Sequence, residues 1–247
     1  MYGSTSGRER ALTVPGLRKM KSDREKIAVV TAYDASQAHL LESCGTDVLL
    51  VGDSLGMVIQ GHRTTLSVTV DHIVYHTACV VRGARRTLIV ADMPFLAFSD
   101  SDVALRNAGR LIAEGGAQMV KLEGAGHVVE TTARLVDSGI PVCGHLGLTP
   151  QSVHQLGGFK VQGKESAAAE RMIEDARKLE DAGAAMIVLE CVPVDLAEAI
   201  THTLSIPTIG IGAGVHCDGQ VLVWQDLMGM GSGHKPVSYT HLRAHET

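Results

Sequence analysis

Residues 87–124, TLIVADMPFLAFSDSDVALRNAGRLIAEGGAQMVKLEG, give the clearest indication of the fold class. This stretch contains two nearly continuous apolar runs, Thr87–Ala91 and Gln118–Leu122, and between them a segment of helical periodicity at Ser101–Glu114. Apolar runs without alternation are typical of strands that are buried on both faces of a parallel sheet. The stretch therefore predicts a strand, a helix and a second strand parallel to the first.

The same alternation continues through the rest of the chain. Six further strands are predicted at Ile27–Ala32, Asp47–Val51, Ile140–Gly144, Ala185–Leu189, Ile206–Ile211 and Gly219–Trp224. Further segments of helical periodicity lie at Ser36–Cys44, Asp71–Arg82, His127–Asp137, Ser166–Ala182 and Val194–Leu204. Eight strands with intervening helices predict an α/β fold, a (βα)8 TIM barrel, and a doubly wound open sheet is the alternative. Residues 13–26 are predicted to form a short helix against the N-terminal face of the barrel.

Composition limits the classes of partner and the cellular compartment. The formal net charge of −5 and the lack of a long Lys/Arg cluster argue against nucleic acid or an anionic membrane as the main partner. No apolar run approaches the ~20 residues of a membrane span. The five cysteines form no CxxC pair, and we interpret them as buried thiols of a cytoplasmic protein.

Acidic residues follow several predicted strands, at the end where TIM barrels carry their chemistry. They are Asp53, Asp92, Glu123 and Glu190. Carboxylates that face one pocket repel each other, so they need a cation or a raised pKa. Ligation by oxygen alone selects a hard cation, Mg²⁺ before Ca²⁺ or Zn²⁺. The alternative is that some of these acids cap the following helices or pair with Lys and Arg.

Two basic side chains accompany these acids. Lys121 lies two residues before Glu123, so both point to the same face of their strand. Lys121 could pair with Glu123, form a Schiff base or hold a substrate carboxylate, and the acids favour the last role because a Schiff-base lysine usually dispenses with a metal. His145 is a candidate accessory residue, as acid, base or hydrogen-bond donor, and the alternative is a core histidine.

Three further motifs are less specific. The glycines of Gly210–Gly214 resemble a phosphate-cradling loop, but a strand rather than a helix follows, which argues against a dinucleotide fingerprint. His72 and His76 share a helix face without a HExxH pattern and are predicted to lie on a solvated surface. The long loop Gly157–Lys164 is predicted to be a lid over the barrel mouth.

Seven motifs together resemble the ketopantoate hydroxymethyltransferase family. They are VGDSLGMVIQGHRTTLSVTVDH (51–72), ADMPF (91–95), KLEG (121–124), CGHLGLTPQSV (143–153), LGGFKVQGK (156–164), VLECVP (188–193) and IPTIGIGAG with CDGQVLVWQD (206–226). The resemblance runs from about residue 13 to residue 233 in the same order and with similar spacing. It implies a (βα)8 barrel of the phosphoenolpyruvate/pyruvate type. The implied reaction transfers a hydroxymethyl unit from 5,10-methylenetetrahydrofolate to 3-methyl-2-oxobutanoate, giving 2-dehydropantoate for pantothenate synthesis.

The resemblance also implies roles for single residues. The implied Mg²⁺ ligands are Asp53, Asp92 and Glu123. The residues implied to bind the oxo acid are Asp53, Ser54, Asp92 and Lys121. Glu190 is the implied general base, and the metal would stabilise the enolate that forms when this base removes the C3 proton.

The end of the sequence departs from the family. Residues 1–236 are predicted to form the single barrel domain, whereas VSYTHLRAHET (237–247) does not resemble the helical segment that family members carry there. We therefore expect a non-family tail and a missing last helix. The resemblance further implies a homodecamer. Two other functions stay open, a related Mg²⁺-dependent barrel lyase acting on a different 2-oxo acid and a non-catalytic protein that binds ligand or assembles with itself.

Overall fold

The structure is a computed structural model, and it describes residues 10–230. Eight parallel strands close into a barrel in chain order, which confirms the predicted (βα)8 fold and excludes the open sheet. The strands are β1 (Ile27–Thr31), β2 (Val48–Val51), β3 (Leu88–Asp92), β4 (Met119–Glu123), β5 (Val142–Gly147), β6 (Met186–Glu190), β7 (Thr208–Ile211) and β8 (Gly219–Leu222). The barrel closes where β8 pairs with β1, with Gly219 beside Ile27.

The helices surround the barrel and form its loops. In the described part of the chain they are α1 (Val14–Ser22), α2 (Ala35–Ser43), α3 (Leu55–Val58), α4 (Val70–Gly83), α5 (Ser101–Ala113), α6 (His127–Asp137), α7 (Val153–Leu156), α8 (Ser166–Asp181), α9 (Val194–Thr203) and α10 (Trp224–Leu227). The long helices α2, α4, α5, α6, α8 and α9 lie within one residue of their predicted ends. Acids cap two of them, because Asp34 accepts the Gln37 N–H of α2 and Asp100 accepts two N–H groups of α5.

The strand that departs most from its prediction is β5. It begins two residues later than predicted because Pro141 has no N–H for the ladder. It also runs three residues further, through the pairing of Gly147 with Glu190 of β6. Gly147 is required at this position, because its φ is +94° and a Cβ would overlap the Glu190 carbonyl. The extension places His145 inside the strand rather than in a loop.

The core has two parts, as a TIM barrel requires. The outer part fills the space between strands and helices. The inner part lies inside the barrel and includes two buried residues of α1, Leu17 and Met20, in the same cluster as Ile27 and Val48 of the strands. The short helix predicted at residues 13–26 is therefore confirmed. The N-terminal end of the barrel also holds ion pairs such as Lys21 with Asp218, at 2.8 Å.

The cysteines agree with their prediction only in part. Cys143 and Cys217 are buried, but Cys44 is exposed and Cys79 and Cys191 are half-buried. All five thiols are free. The prediction of buried thiols is wrong for Cys44 because it caps the end of α2 at the surface rather than facing the core.

Two further expectations concern the ends of the chain and the membrane. The end of the predicted barrel domain at residue 236, the tail at residues 237–247 and the missing last helix lie outside the described residues. Among residues 10–230, no helix has both the length and the apolar character needed to cross a membrane.

Candidate active site

The predicted acidic residues meet at the C-terminal mouth of the barrel. Asp92, Glu123 and Glu190 are the last residues of β3, β4 and β6, and Asp53 follows β2 by two residues. All four line a cavity of about 170 Å³. Pockets for drug-sized ligands usually measure ~300–1,000 Å³, so this cavity suits a small molecule.

Strand register determines which charged side chains become neighbours. The pairing of β3 with β4 places Asp92 beside Lys121, and the pairing of β4 with β5 places Glu123 beside His145. Because alternate residues of a strand face the same side, Lys121 and Glu123 both lie inside the barrel. The spacing of Lys121 and Glu123 along β4 and the register between neighbouring strands therefore bring the charged side chains together at the mouth.

Asp53, Asp92 and Glu123 form the carboxylate cluster. One oxygen from each side chain lies within 4.8 Å of the others. All three residues are buried, with exposed fractions of 4%, 2% and 6%. Burial, and then the charges of Asp92 and Glu123, raise the pKa of Asp53 well above its ordinary value. In the absence of a cation, the cluster is therefore electrostatically unfavourable.

Lys121 is the positive charge closest to the cluster. Its Nζ donates to both carboxylate oxygens of Asp92, at 2.6 and 2.7 Å, and lies 3.6 Å from Glu123 Oε1. Although burial lowers the pKa of Lys121, the three carboxylates outweigh this effect and raise it. The ammonium of Lys121 therefore pairs most closely with Asp92. The pairing with Glu123 that the sequence suggested is present, but it is the longer of the two contacts.

His145 connects the cluster to Glu190. Its Nδ1 lies 3.4 Å from Glu123 Oε1 and its Nε2 lies 3.2 Å from Glu190 Oε2, but neither contact is aligned as a hydrogen bond. Burial and the charge of Lys121 lower the pKa of His145, and the two glutamates outweigh them and raise it to about 9. The Glu190 side chain is 18% exposed, so it is the acid of the four that is open to the cavity.

The carboxylate cluster fits a hard divalent cation. Three carboxylates face one ammonium, which leaves excess negative charge, and their oxygens are the ligands that Mg²⁺ prefers. Glu123 Oε1 is buried without a hydrogen-bond partner, as expected of an oxygen that a cation would coordinate.

Two residues of the site carry no obvious sequence signal. Gln151 is buried, and its side-chain amide donates to Asp53 Oδ2. The hydroxyl of the buried Tyr33 lies 2.9 Å from Ser54 Oγ. For Tyr33, the only signal in the sequence is its position after a predicted strand. For Gln151, a neutral residue in a loop, nothing in the sequence indicates its contact with Asp53, which lies 98 positions away.

The predicted lid loop lies beside the mouth. Residues 157–165 have no regular structure, and Phe159 lines the cavity although 58% of it is exposed. The Gln162 N–H donates to the carbonyl of Cys191, the residue that follows Glu190, at 2.9 Å. The loop is thus attached near the proposed base, and its closure stays a prediction.

The remaining motifs have structural explanations. A strand, β8, follows the glycines of Gly210–Gly214, as the sequence indicates. The solvated surface predicted for the histidines is wrong, since both are half-buried. His72 completes the cap of α4, and His76 Nδ1 lies 2.7 Å from the Tyr33 carbonyl oxygen.

A larger surface groove of about 610 Å³ lies between α6 and α8. Its charged side chains, including Glu130 and Lys178, belong to the outer surfaces of the helices. We take the smaller cavity as the candidate active site because the buried titratable groups converge there.

Comparisons with known sequences point to one protein family. The family model described as ketopantoate hydroxymethyltransferase matches residues 11–245. The chain is 58% identical over 221 residues to the 3-methyl-2-oxobutanoate hydroxymethyltransferase of Methylococcus capsulatus, covering 90% of this chain and 82% of that protein. It is 57% identical over 226 residues to 3-methyl-2-oxobutanoate hydroxymethyltransferase 1 of Burkholderia cenocepacia, covering 92% and 83%.

Solved structures share the barrel at much lower identity. One is 2,3-dimethylmalate lyase, a member of the PEP mutase/isocitrate lyase superfamily, with a TM-score of 0.65 and 14% identity, covering 88% of this chain and 80% of that one. Another is phosphonopyruvate hydrolase in complex with oxalate and Mg²⁺, with a TM-score of 0.67 and 10% identity, covering 88% and 82%. These likenesses show the fold alone, and they agree with the predicted α/β barrel.

Proposed function

This chain belongs to the ketopantoate hydroxymethyltransferase family, and from this premise we propose that it transfers a hydroxymethyl group from 5,10-methylenetetrahydrofolate to 3-methyl-2-oxobutanoate, with Mg²⁺ at the carboxylate cluster. The product would be 2-dehydropantoate. The observation that carries the proposal is the buried cluster of Asp53, Asp92 and Glu123 beside Lys121, with Glu190 at the open edge.

The carboxylate cluster would hold the metal. When bound there, Mg²⁺ would withdraw electron density from the keto oxygen of the oxo acid and so stabilise the negative charge that follows proton removal. Asp53 and Asp92 would thereby also face the oxo acid.

Lys121 and Ser54 would bind the oxo acid. A lysine ammonium has three donors, and Asp92 takes two of them. The third could reach the substrate carboxylate and offset its charge. Ser54 lies at the cavity wall, where the Tyr33 hydroxyl holds its Oγ in place.

Glu190 would act as the general base. Its carboxylate is the most open of the four acids, so it can reach a proton on C3 of the oxo acid. The carbon would then attack the methylene group of the folate. In the overall reaction one C–C bond forms, both bonds from the methylene carbon to folate nitrogen break, and water supplies the hydroxyl group.

The loop at residues 157–164 would limit the access of water while the carbon nucleophile exists. Phe159 supports this role because it already lines the mouth. Deletion of Gly157 and Gly158 should therefore slow turnover, and unchanged turnover would contradict the lid.

Self-assembly and a cytoplasmic location are further parts of the proposal, and both rest on the family. Exposed apolar side chains support a homo-oligomer, in particular Tyr75 and Leu96, which are 66% and 64% exposed. Light scattering on the purified chain measures its mass, and a monomer at all concentrations would contradict assembly.

The reaction can be tested by product analysis. Purified protein would be incubated with Mg²⁺, 3-methyl-2-oxobutanoate and 5,10-methylenetetrahydrofolate, and 2-dehydropantoate would be measured by mass spectrometry. We expect the product only when folate is present, strong loss in Lys121→Met, and no loss in Lys178→Met, a control at an exposed lysine of α8. Cleavage of a 2-oxo acid without folate would instead favour a lyase.

A further inference from the structure

Gln151 contacts two of the three carboxylates that could hold the metal. Its backbone N–H donates to Glu123 Oε2 at 3.0 Å, and its side-chain Nε2 donates to Asp53 Oδ2 at 2.9 Å. The same Nε2 donates to the carbonyl of Met93, the residue after Asp92, at 2.9 Å. We infer that Gln151 is a positioning residue that orients the carboxylate cluster for metal binding, an inference that rests on the proposed function.

The orientation of the Gln151 amide follows from its partners. The Asp53 carboxylate and the Met93 carbonyl only accept hydrogen bonds, so the NH2 end of the amide must face them. Both N–H groups are then used. Gln151 is 7% exposed, so water competes little with these bonds.

These bonds select the oxygens that remain for a cation. One oxygen of Asp53 and one of Glu123 each accept a bond from Gln151, while Glu123 Oε1 has no hydrogen-bond partner. A neutral donor fixes the two carboxylates without adding a charge to the cluster. Partners of this kind orient metal ligands before the ion arrives.

Gln151 also joins the metal site to the mouth loop. It lies in the 3-10 turn Pro150–Ser152, which leads directly into α7 and then into the loop at residues 157–164. The loop and the carboxylate cluster therefore share one anchor, and a displacement of the turn would move the bonds to Asp53 and Glu123.

Metal titration tests this role separately from catalysis. Mn²⁺, a spectroscopic substitute for Mg²⁺, would be titrated into the full chain and followed by electron paramagnetic resonance. The variant Gln151→Met keeps the size of the side chain and the backbone bond to Glu123 but removes both amide donors. We expect its Kd for Mn²⁺ to rise about 10- to 100-fold.

The matched control is Gln118→Met. Gln118 Oε1 accepts the Ile89 N–H at 2.7 Å, so this variant also loses a bond from a glutamine side chain to a strand, but at the N-terminal end of the barrel. Its Kd for Mn²⁺ should equal that of the wild type. Activity of Gln151→Met should largely recover at saturating Mg²⁺, a recovery that a merely structural defect would not show.

Three results would contradict the inference. If the wild type binds Mn²⁺ and Gln151→Met binds it equally well, the positioning role fails and the proposed function stands. If the wild type binds no Mn²⁺, the metal site fails and the role of Gln151 fails with it. Should Gln151→Met not fold, Gln151→Asn replaces it, since its shorter amide cannot hold both partners, and an unchanged Kd there is equally decisive.

Discussion

The two ends of the barrel differ in how their acidic side chains are compensated. At the N-terminal end, Glu42 Oε2 accepts the backbone N–H groups of Arg85, Arg86 and Thr87, at 2.8, 2.6 and 3.1 Å. At the C-terminal mouth, three carboxylates share one small volume and one oxygen of Glu123 has no hydrogen bond. The acid at the N-terminal end is satisfied by backbone donors and so stabilises the fold, whereas the acids at the mouth repel each other, where we propose that they bind a cation.

The pKa shifts follow the same division. Burial raises the pKa of Glu42, but its backbone donors outweigh burial and lower it. Burial and neighbouring carboxylates raise the pKa of Asp53. Glu42, which is half-buried, is thus more easily ionised in the folded chain, and the buried Asp53 is less easily ionised.

The largest expected effect is that of Asp53→Asn. Activity should fall about 1,000-fold, because a catalytic metal contributes several kcal/mol. In metal-free buffer near neutral pH the variant should melt at or above the wild-type temperature, because the raised pKa means that the ionised Asp53 destabilises the fold.

Calorimetry with and without Mg²⁺ measures the second part of this prediction. Because we propose that the folded wild type binds Mg²⁺, the added ion should raise its melting temperature and leave that of Asp53→Asn nearly unchanged. A metal-free variant that melts well below the wild type would show that Asp53 stabilises the fold as Glu42 does.

The next largest effect is expected for Glu42→Ala, which should lower the stability of the fold and leave catalysis unchanged. The loss of hydrogen bonds to a charged acceptor should lower the free energy of unfolding by about 2 kcal/mol, with kcat unchanged because Glu42 lies at the far end of the barrel. Urea denaturation measures the free energy of unfolding, and steady-state kinetics measure kcat. A reduced kcat in a fully folded variant would show that Glu42 also affects the mouth of the barrel.

The stabilisation by Glu42 should also depend on pH. Because its folded-state pKa is lowered, the stabilisation is fully present above the ordinary value of 4.5 and is lost as the pH falls through the lower, folded value. The difference in stability between wild type and Glu42→Ala should therefore shrink on acidification below about pH 4.5. A constant difference down to pH 3 would contradict this origin.

The smallest effect is expected for Tyr33→Phe at the mouth. The variant loses the contact with Ser54 Oγ, and a neutral hydrogen bond contributes about 0.5–1.5 kcal/mol. The KM for the oxo acid should rise by up to about tenfold, with a smaller change in kcat. Equal kinetic constants for the wild type and Tyr33→Phe would show that the Tyr33 hydroxyl has no part in binding the oxo acid.

The sequence predicts those features of the fold that depend on local pattern. Nearly continuous apolar runs predict all eight strands, and the acids that follow several of them predict the mouth, because the ends of parallel strands meet there. The role of Gln151 could not be predicted, because its hydrogen bonds to Asp53 and Glu123 depend on how a loop packs over the barrel. The extension of β5 is missed because Gly144 and Gly147 resemble a strand end, while pairing with β6 overrides that signal.

The decisive experiment on the proposed reaction is proton exchange at C3 of 3-methyl-2-oxobutanoate in D2O, without folate, followed by NMR. This experiment isolates the step that the carboxylate cluster and Glu190 are proposed to carry out together. We expect exchange that requires both protein and Mg²⁺ and that falls at least ~100-fold in Glu190→Gln, with Glu174→Gln on the surface of α8 as the control. Exchange by Glu190→Gln at the wild-type rate would contradict the role of Glu190 as the base, and exchange by the wild type in the presence of EDTA would contradict the role of Mg²⁺.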